Sequence, residues 1–439
     1  MKKKYRIILY TSIFLLCVVA SIILVVKKSN SVYEEESKPK VVKHKSMLSM
    51  NLEQTAGAGD YKTVTQSSWP TEGYKFNAEL SKCENGSTLS WDDTKKAVIM
   101  QGNVSDKCYV YFDIWIPSIA DYCTSGTDLA TCVKNFGDQG PSVSNIYIHN
   151  SSLTNGAGDN SYRYAGANPN NFVCFGSDAS PCPIDNLYRI IGVFGENYHG
   201  ANGKQLVKLI KYDYMTTDEL GTDGDYSQTY KEWGMDSTYK GTYGDGERIG
   251  VYYWNYKATG SATNTWSTSL LNKTNLNTNF INNIGTTWAN KIATVTWKVG
   301  GNTWANIGTK TSSVAYTNEI TNPVTTNTTD NATTYSAKIG LMYVSDYGFA
   351  ASPDAWTLTM SSYNNTTATN NNWMYMGLYE WTISRNADLS NLAFLVNYDG
   401  YVNFYSVNLN FGVRASFNLE SSVSYVSGSG SMSDPIVIN

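Results

Sequence analysis

The pattern of apolar and polar positions changes character several times along the chain. Residues 7–26 (IILYTSIFLLCVVASIILVV) are uncharged and mostly apolar. At about 1.5 Å per residue such a helix spans about 30 Å, one bilayer core. Lys27 and Lys28 close the run. Residues 29–50 are charged and show no core periodicity, which predicts a stalk. Tyr109–Trp115 alternates apolar and polar residues, the period of a half-buried strand, and Lys96–Met100 supplies a second short strand. Residues 51–116 therefore predict a small β module. In residues 117–160, Ile119–Tyr122 and Leu129–Val133 suit short helical turns before Gly137, Gly140, Gly156 and Gly158 interrupt the chain, so this stretch reads as a connector.

Residues 161–425 read as the main domain. Tyr188–Phe194 is a strongly apolar strand, and the alternating Gln205–Tyr212 can pair with it as a hairpin. Leu270, Leu271, Leu276, Phe280 and Ile281 recur at near-helical spacing, predicting a helix over 267–283 with an apolar side toward the core. Residues 321–334 and 361–372 are Thr/Asn runs that predict long surface loops. Strands resume at Trp381–Arg385, Ala393–Val396, Tyr401–Val407 and Gly412–Phe417. In the tail, 426–439, a flexible Ser427–Ser431 leads to a closing strand, Pro435–Ile438. The fold class is β-rich α+β: an N-terminal transmembrane helix, a small β-sandwich-like module, then the main domain.

Charge orients this arrangement. MKKKYR carries four positive charges, so the positive-inside rule leaves the N-terminal tip in the cytoplasm and everything after Lys28 outside. Residues 1–28 then form tip and anchor. A signal peptide cut after Val18-Val19-Ala20 is the rival, but six apolar residues still follow. A lipoprotein would use Cys17, where Leu16 stands in place of a small residue. Net charge is −4 without a basic block beyond the N-terminus, which argues against nucleic acid. The chain holds 44 Asn, 33 Tyr and 35 Gly but three His, which suits a loop-rich polar surface and argues against multi-histidine metal centres.

Beyond Cys17 there are six cysteines. Their spacing suggests Cys83–Cys108, Cys123–Cys132 and Cys174–Cys182, although six cysteines allow 15 connectivities. No C-x-x-C pair points to a metal, so structural disulfides in an oxidising compartment are expected.

Two stretches carry resemblances. WPTEGYKFNAELSKCENGSTLSWD, continued by SDKCYVYFD, resembles a small cysteine-paired module of surface proteins in low-GC Gram-positive bacteria; it implies a spacer. Further on come NPNNFVCFGSD, DNLYRIIGVF, VKLIKYDY, LNTNFINN, IGLMYVSDYGFA, NNNWMYMGLYEWTISR and GVRASFNL, in that order. This series resembles an uncharacterised domain of exported proteins from the same bacteria. Its layout is similar to the C-type-lectin-like fold shared by formylglycine-generating enzymes and retroelement-diversified receptor proteins. The resemblance covers about residues 150–425. The family usually has Pro after G-V-R, where Ala415 stands here.

Candidate chemistry is sparse. The formylglycine-generating enzymes need a copper-binding cysteine pair late in the domain, and no cysteine follows Cys182. No G-x-S-x-G, P-loop or H-E-x-x-H motif occurs. A carboxylate-dependent glycan-active enzyme would draw on Glu380, Asp388 or Asp399. Asp218, Glu219, Asp223, Asp225, Asp245 and Glu247 read as solvated acidic turns; Asp223 and Asp225 are the candidates for a structural calcium ion. No other cofactor is implied. Arg189, Arg385 and Arg414 sit within apolar strand motifs, where a guanidinium either binds a ligand carboxylate or, the preferred reading, makes a structural clamp. Trp381 is assigned to the same structural set. The ligand-face candidates are Trp356, Trp373, Tyr375 and Tyr379 with Asn371 and Asn372: flat aromatic faces and amides beside Asn/Thr loops suit sugars or peptides. At least two of the four aromatics are expected to border one exposed groove. The sequence thus reads as a non-enzymatic, membrane-anchored bacterial surface protein. It would be ligand-binding or adhesin-like, with an extracellular glycan or protein as partner. A purely structural envelope protein is the alternative.

Overall fold

The computed structural model describes residues 48–65, 68–70, 72–103, 105–195, 199–224, 226–230, 239–243, 248–323 and 332–439. The predicted anchor and nearly all of the stalk lie outside these residues. Among the described residues no helix is long and apolar enough to cross a membrane. With 23% helix and 32% strand, the described residues form a β-rich α+β fold. It divides into two compact units, one ending at Ile116 and one beginning at Pro117.

The first unit is a four-stranded sheet with a separate hairpin. Its strands are β1 (Leu48–Glu53), β2 (Tyr61–Val64), β3 (Tyr74–Cys83), β4 (Thr88–Asp92), β5 (Ala97–Gln101) and β6 (Cys108–Ile114). The sheet runs β2-β1-β6-β3, with β1 parallel to β6, and β4 pairs β5. Residues 48–50, assigned to the stalk by their charged neighbourhood, are strand. Met50 and Leu52 alternate into the core against Val110 and Phe112, so pairing and burial override local composition. Trp69, Phe76 and Trp91 surround the Phe112 ring at 5.9, 5.9 and 5.7 Å.

In the second unit, α1 (Leu129–Gly137) starts on Asp128, whose carboxylate accepts the Thr131 N–H at 2.8 Å. It buries Leu129, Cys132, Val133 and Phe136 on one face. The predicted connector is therefore part of the main unit. The end of the main domain joins it: Leu129 N donates to Val423 O and Gly126 N to Tyr425 O. Strands β7 (Ile146–Ile148), β8 (Tyr162–Tyr164), β9 (Phe172–Cys174), β10 (Leu187–Phe194) and β11 (Leu206–Lys211) follow, then β12 (Tyr226–Tyr230) and β13 (Arg248–Tyr253). Helical segments α2 (Leu271–Phe280) and α3 (Ile281–Ala289) realise the predicted helix, with Leu271, Leu276 and Phe280 buried. Next come β14 (Val295–Lys298), β15 (Gly301–Asn302), β16 (Thr334–Ala337), β17 (Ile339–Gly340) and α4 (Val344–Ala350). The chain closes with β18 (Glu380–Asn386), β19 (Leu392–Val396), β20 (Val402–Ser406), β21 (Asn410–Gly412), β22 (Ser416–Asn418), β23 (Tyr425–Ser427) and β24 (Val437–Ile438).

Two seven-stranded sheets carry this unit. One runs β17-β22-β11-β10-β8-β7 with β9 also on β10; the other runs β12-β13-β21-β18-β19-β20 with β15 on β18. The predicted hairpin is the antiparallel pair β10–β11. All eight residues of β10 are buried, as a run with no polar alternation requires. Its register shifts between Ile190 and Gly192, where an added Cβ would stand 2.2 Å from Tyr162 O, so only glycine fits. All three disulfides pair as their spacing suggests: Cys83–Cys108, Cys123–Cys132 and Cys174–Cys182.

Candidate functional site

The predicted aromatic face is mostly core. Trp356 is fully buried, donates its indole N–H to Ala351 O at 2.9 Å, and packs against Phe349 and Tyr147 at 5.5 and 5.4 Å. Tyr375 is buried with its hydroxyl on Tyr398 O at 2.7 Å. Asn372 is buried and bridges Tyr347 O and the Met374 N–H, while the half-buried Asn371 bonds Thr367 O. The Asn/Thr-rich surroundings suggested exposure, but these amides satisfy backbone groups inside the fold. Tyr379 is half-buried and stacks on Phe411 at 5.0 Å beside Tyr398 and Tyr405. Of the four aromatics, Trp373 is the one that lines the cavity beside Arg189.

Trp373 has a different neighbourhood. It is buried, with its indole N–H on Tyr164 O at 2.9 Å, and its ring forms part of the wall of a cavity of about 660 Å³. Phe172 on β9, Arg189 on β10 and Tyr212 just after β11 line the same cavity, with Met376 and Lys240. Asn168, Asn170 and, from the tail, Ser431 to Ser433 also line it. The tail is no loose strap. Phe172 N donates to Gly430 O at 2.8 Å and Ile436 N to Phe172 O at 2.9 Å, and β24 pairs β23.

Arg189 dominates the cavity's electrostatics. Its guanidinium lies over the rings of Phe172 and Trp373, 4.4 and 4.7 Å from their centroids. Nε donates to Asn171 Oδ1 at 2.7 Å, Nη2 to Pro169 O at 2.9 Å, and Nη1 to Trp373 O at 3.5 Å. Asn171 is itself held through Ile190 O. Thus three of the five N–H groups of the guanidinium have neutral partners, and among the described residues no carboxylate pairs with it. Burial, and then the charge of Arg414, push Arg189 down to about 9, a value that still leaves it cationic at neutral pH. The second lining charge, Lys240, is exposed, with Nζ on Thr369 O at 2.9 Å and 4.8 Å above the Tyr375 ring. Its ammonium is pushed below the usual lysine range, first by desolvation and then by Arg189. No acidic side chain lines the cavity among the described residues.

The other buried arginines differ. Arg414 Nε meets Glu380 Oε1 at 2.8 Å and Nη2 meets Met374 O at 2.7 Å, so Glu380 neutralises a structural clamp. Asp388 lies exposed, and Asp399 accepts from Asn397 at 2.7 Å. Arg385 donates to Val299 O at 3.2 Å on β18, away from the cavity lining. Trp381 is fully buried and bonds Tyr252 O. Around the acidic turn, Glu219 pairs with Lys211 at 2.6 Å and Asp223 accepts from Asn279 at 2.7 Å. Asp225, Asp245 and Glu247 lie outside the described residues. No group of three or more metal-ligating side chains occurs among the described residues.

Sequence reasoning singles out Trp373 and Arg189 but not Phe172, Tyr212, Lys240, Met376 or Met432, which reach the cavity from distant segments. The one available signal is Arg189 itself, a lone charge inside LYRIIGVF. Comparison with protein-family models, curated proteins and solved structures finds no match.

Proposed function

We propose that the chain is an exported, membrane-tethered surface protein whose second unit binds a small ligand outside the cell. The observation that carries this reading is the cavity of about 660 Å³, walled by aromatic side chains and by a buried arginine with no carboxylate partner among the described residues. Its size falls within the roughly 300–1,000 Å³ of ligand pockets, and its mostly apolar wall with a few fixed polar groups is their usual chemistry. The three disulfides support an oxidising location, and residues 7–26 followed by Lys27 and Lys28 support a tether. The hairpin, helix and late strands support a C-type-lectin-like reading of the second unit, with the first unit as a spacer.

The test uses the full-length protein displayed on cells. Added protease should remove the second unit, and glycan and peptide arrays should retain the purified full-length chain saturably. A protease-protected second unit, or no retention on any array, overturns this reading.

A further inference from the structure

Resting on that reading of the cavity, we infer that its ligand is a carboxylate bearing a flat apolar body, with the carboxylate seated on the edge of the Arg189 guanidinium. The rings of Phe172 and Trp373 lie against that guanidinium, with centroids 4.4 and 4.7 Å away. What it can offer a ligand is the edge formed by its terminal nitrogens, where one N–H on Nη1 and one on Nη2 have no partner among the described residues. A planar oxyanion that accepts in the guanidinium plane matches such an edge.

Charge points the same way. Arg163 has Asp159 at 2.8 Å, Lys208 has Asp346 at 2.5 Å, and Arg414 has Glu380 at 2.8 Å. The fold thus neutralises Arg163, Lys208 and Arg414, whereas among the described residues Arg189, 4% exposed, and Arg385 have only neutral acceptors, and of these two only Arg189 lines the cavity. A buried charge without a counter-charge is costly, and an anionic ligand would supply what the chain omits. Lys240 adds a second positive charge at the rim, and no lining carboxylate among the described residues repels an anion.

The rest of the wall selects the body of the ligand. Phe172, Tyr212 and Trp373 present ring surface, and Met376 and Met432 present polarizable thioethers. Asn168, Asn170, Ser431 and Ser433 supply amide and hydroxyl groups for polar substituents. An acidic sugar or a peptide ending in an aromatic residue has this combination of features.

N-acetyl-phenylalanine and its neutral amide are suitable probes, because they differ only at the carboxyl group, which the amide leaves uncharged. Calorimetry with the purified full-length chain should show saturable binding of the acid and binding of the amide weaker on the order of tenfold to a hundredfold. Arg189→Gln should erase the difference. Because Arg189 is buried and that variant risks misfolding, Met432→Trp serves as a second variant. It fills the cavity from the tail and should abolish binding of the acid while leaving Tm unchanged. Equal affinity for acid and amide, both lost in Met432→Trp, overturns the carboxylate assignment but leaves a ligand-binding cavity. Absence of both, with array retention insensitive to Met432→Trp, overturns the cavity as the site. Acid-selective binding that survives both variants places the carboxylate elsewhere and also overturns the inference.

Discussion

Lys208 Nζ lies 2.5 Å from Asp346 Oδ2, joining β11 to α4 across 138 residues of sequence with both side chains buried. Asp346 also faces Arg163 Nη1, at 3.6 Å, and Arg163 Nη2 meets Asp159 at 2.8 Å. Two cations and two carboxylates therefore alternate through the interior, each neutralised by a neighbour. Removing one member leaves a buried charge uncompensated. Asp346→Asn should lower unfolding stability by about 3–5 kcal/mol in a denaturant titration. The double variant Lys208→Met, Asp346→Leu should lose less than the two single changes together. A loss below about 1 kcal/mol for Asp346→Asn would show that this carboxylate does not neutralise the interior.

Glu319 lies close to this network and behaves oppositely. It accepts the Val344 and Ser345 N–H groups, each at 2.9 Å, and the Ser384 hydroxyl, yet burial pushes its carboxyl up to about 7. The folded state then holds a proton that the unfolded state has lost between pH 4.5 and about 7. Its contribution is fully present below pH 4.5 and is lost as pH rises through about 7, by about 3 kcal/mol in all. His149 and His199, both pushed down by burial, act in the other direction, since stability falls as acid protonates the unfolded state below about 6.5. Subtracting the stability–pH curve of Glu319→Gln from that of the wild type isolates the Glu319 share. The difference should fall as pH rises across this window; a flat difference curve would refute it.

Trp356 was a ligand-face candidate and is a core residue. Its replacement by Ala should cost about 3–5 kcal/mol, the usual result for a large buried aromatic. Tyr375→Ala should lose both packing and the hydrogen bond to Tyr398 O. Thermal unfolding checks both. A Trp356→Ala variant with unchanged Tm would return this ring to the surface.

What the sequence revealed depended on whether a signal was local. Strand β10 and the helix at α2 and α3 were legible because burial imposes an apolar run or a periodic stripe on adjacent residues. Three disulfides were legible because each joins cysteines near in sequence. The cavity was not, because Phe172, Lys240, Trp373 and Met432 converge only through strand pairing and the return of the tail. Trp356 and Tyr375 misled for a related reason: neighbouring Asn and Thr residues read as surface, whereas Asn372 is an interior hydrogen-bonding group.

Reduction should separate the two units. The first has a core of Met50, Leu52, Val110 and Phe112 with half-buried rings around it, little apolar burial for a free-standing sheet. Cys83–Cys108 ties the facing ends of β3 and β6 and closes a 25-residue separation, which the chain-entropy treatment values at about 3–4 kcal/mol. That is a large fraction of what so small a unit can hold. In the second unit the two bridges close separations of only 9 and 8 residues, worth about 2–3 kcal/mol each, and its core extends from Ile119 to Ile438. Reductant at moderate temperature should therefore open the first unit while the second stays folded. Limited proteolysis would show new cuts within residues 51–114 and a surviving fragment beginning near Pro117. Cuts confined to the second unit would mean that the core of the first is sufficient without its bridge, and equal loss of both would mean that the second depends on its own bridges as much.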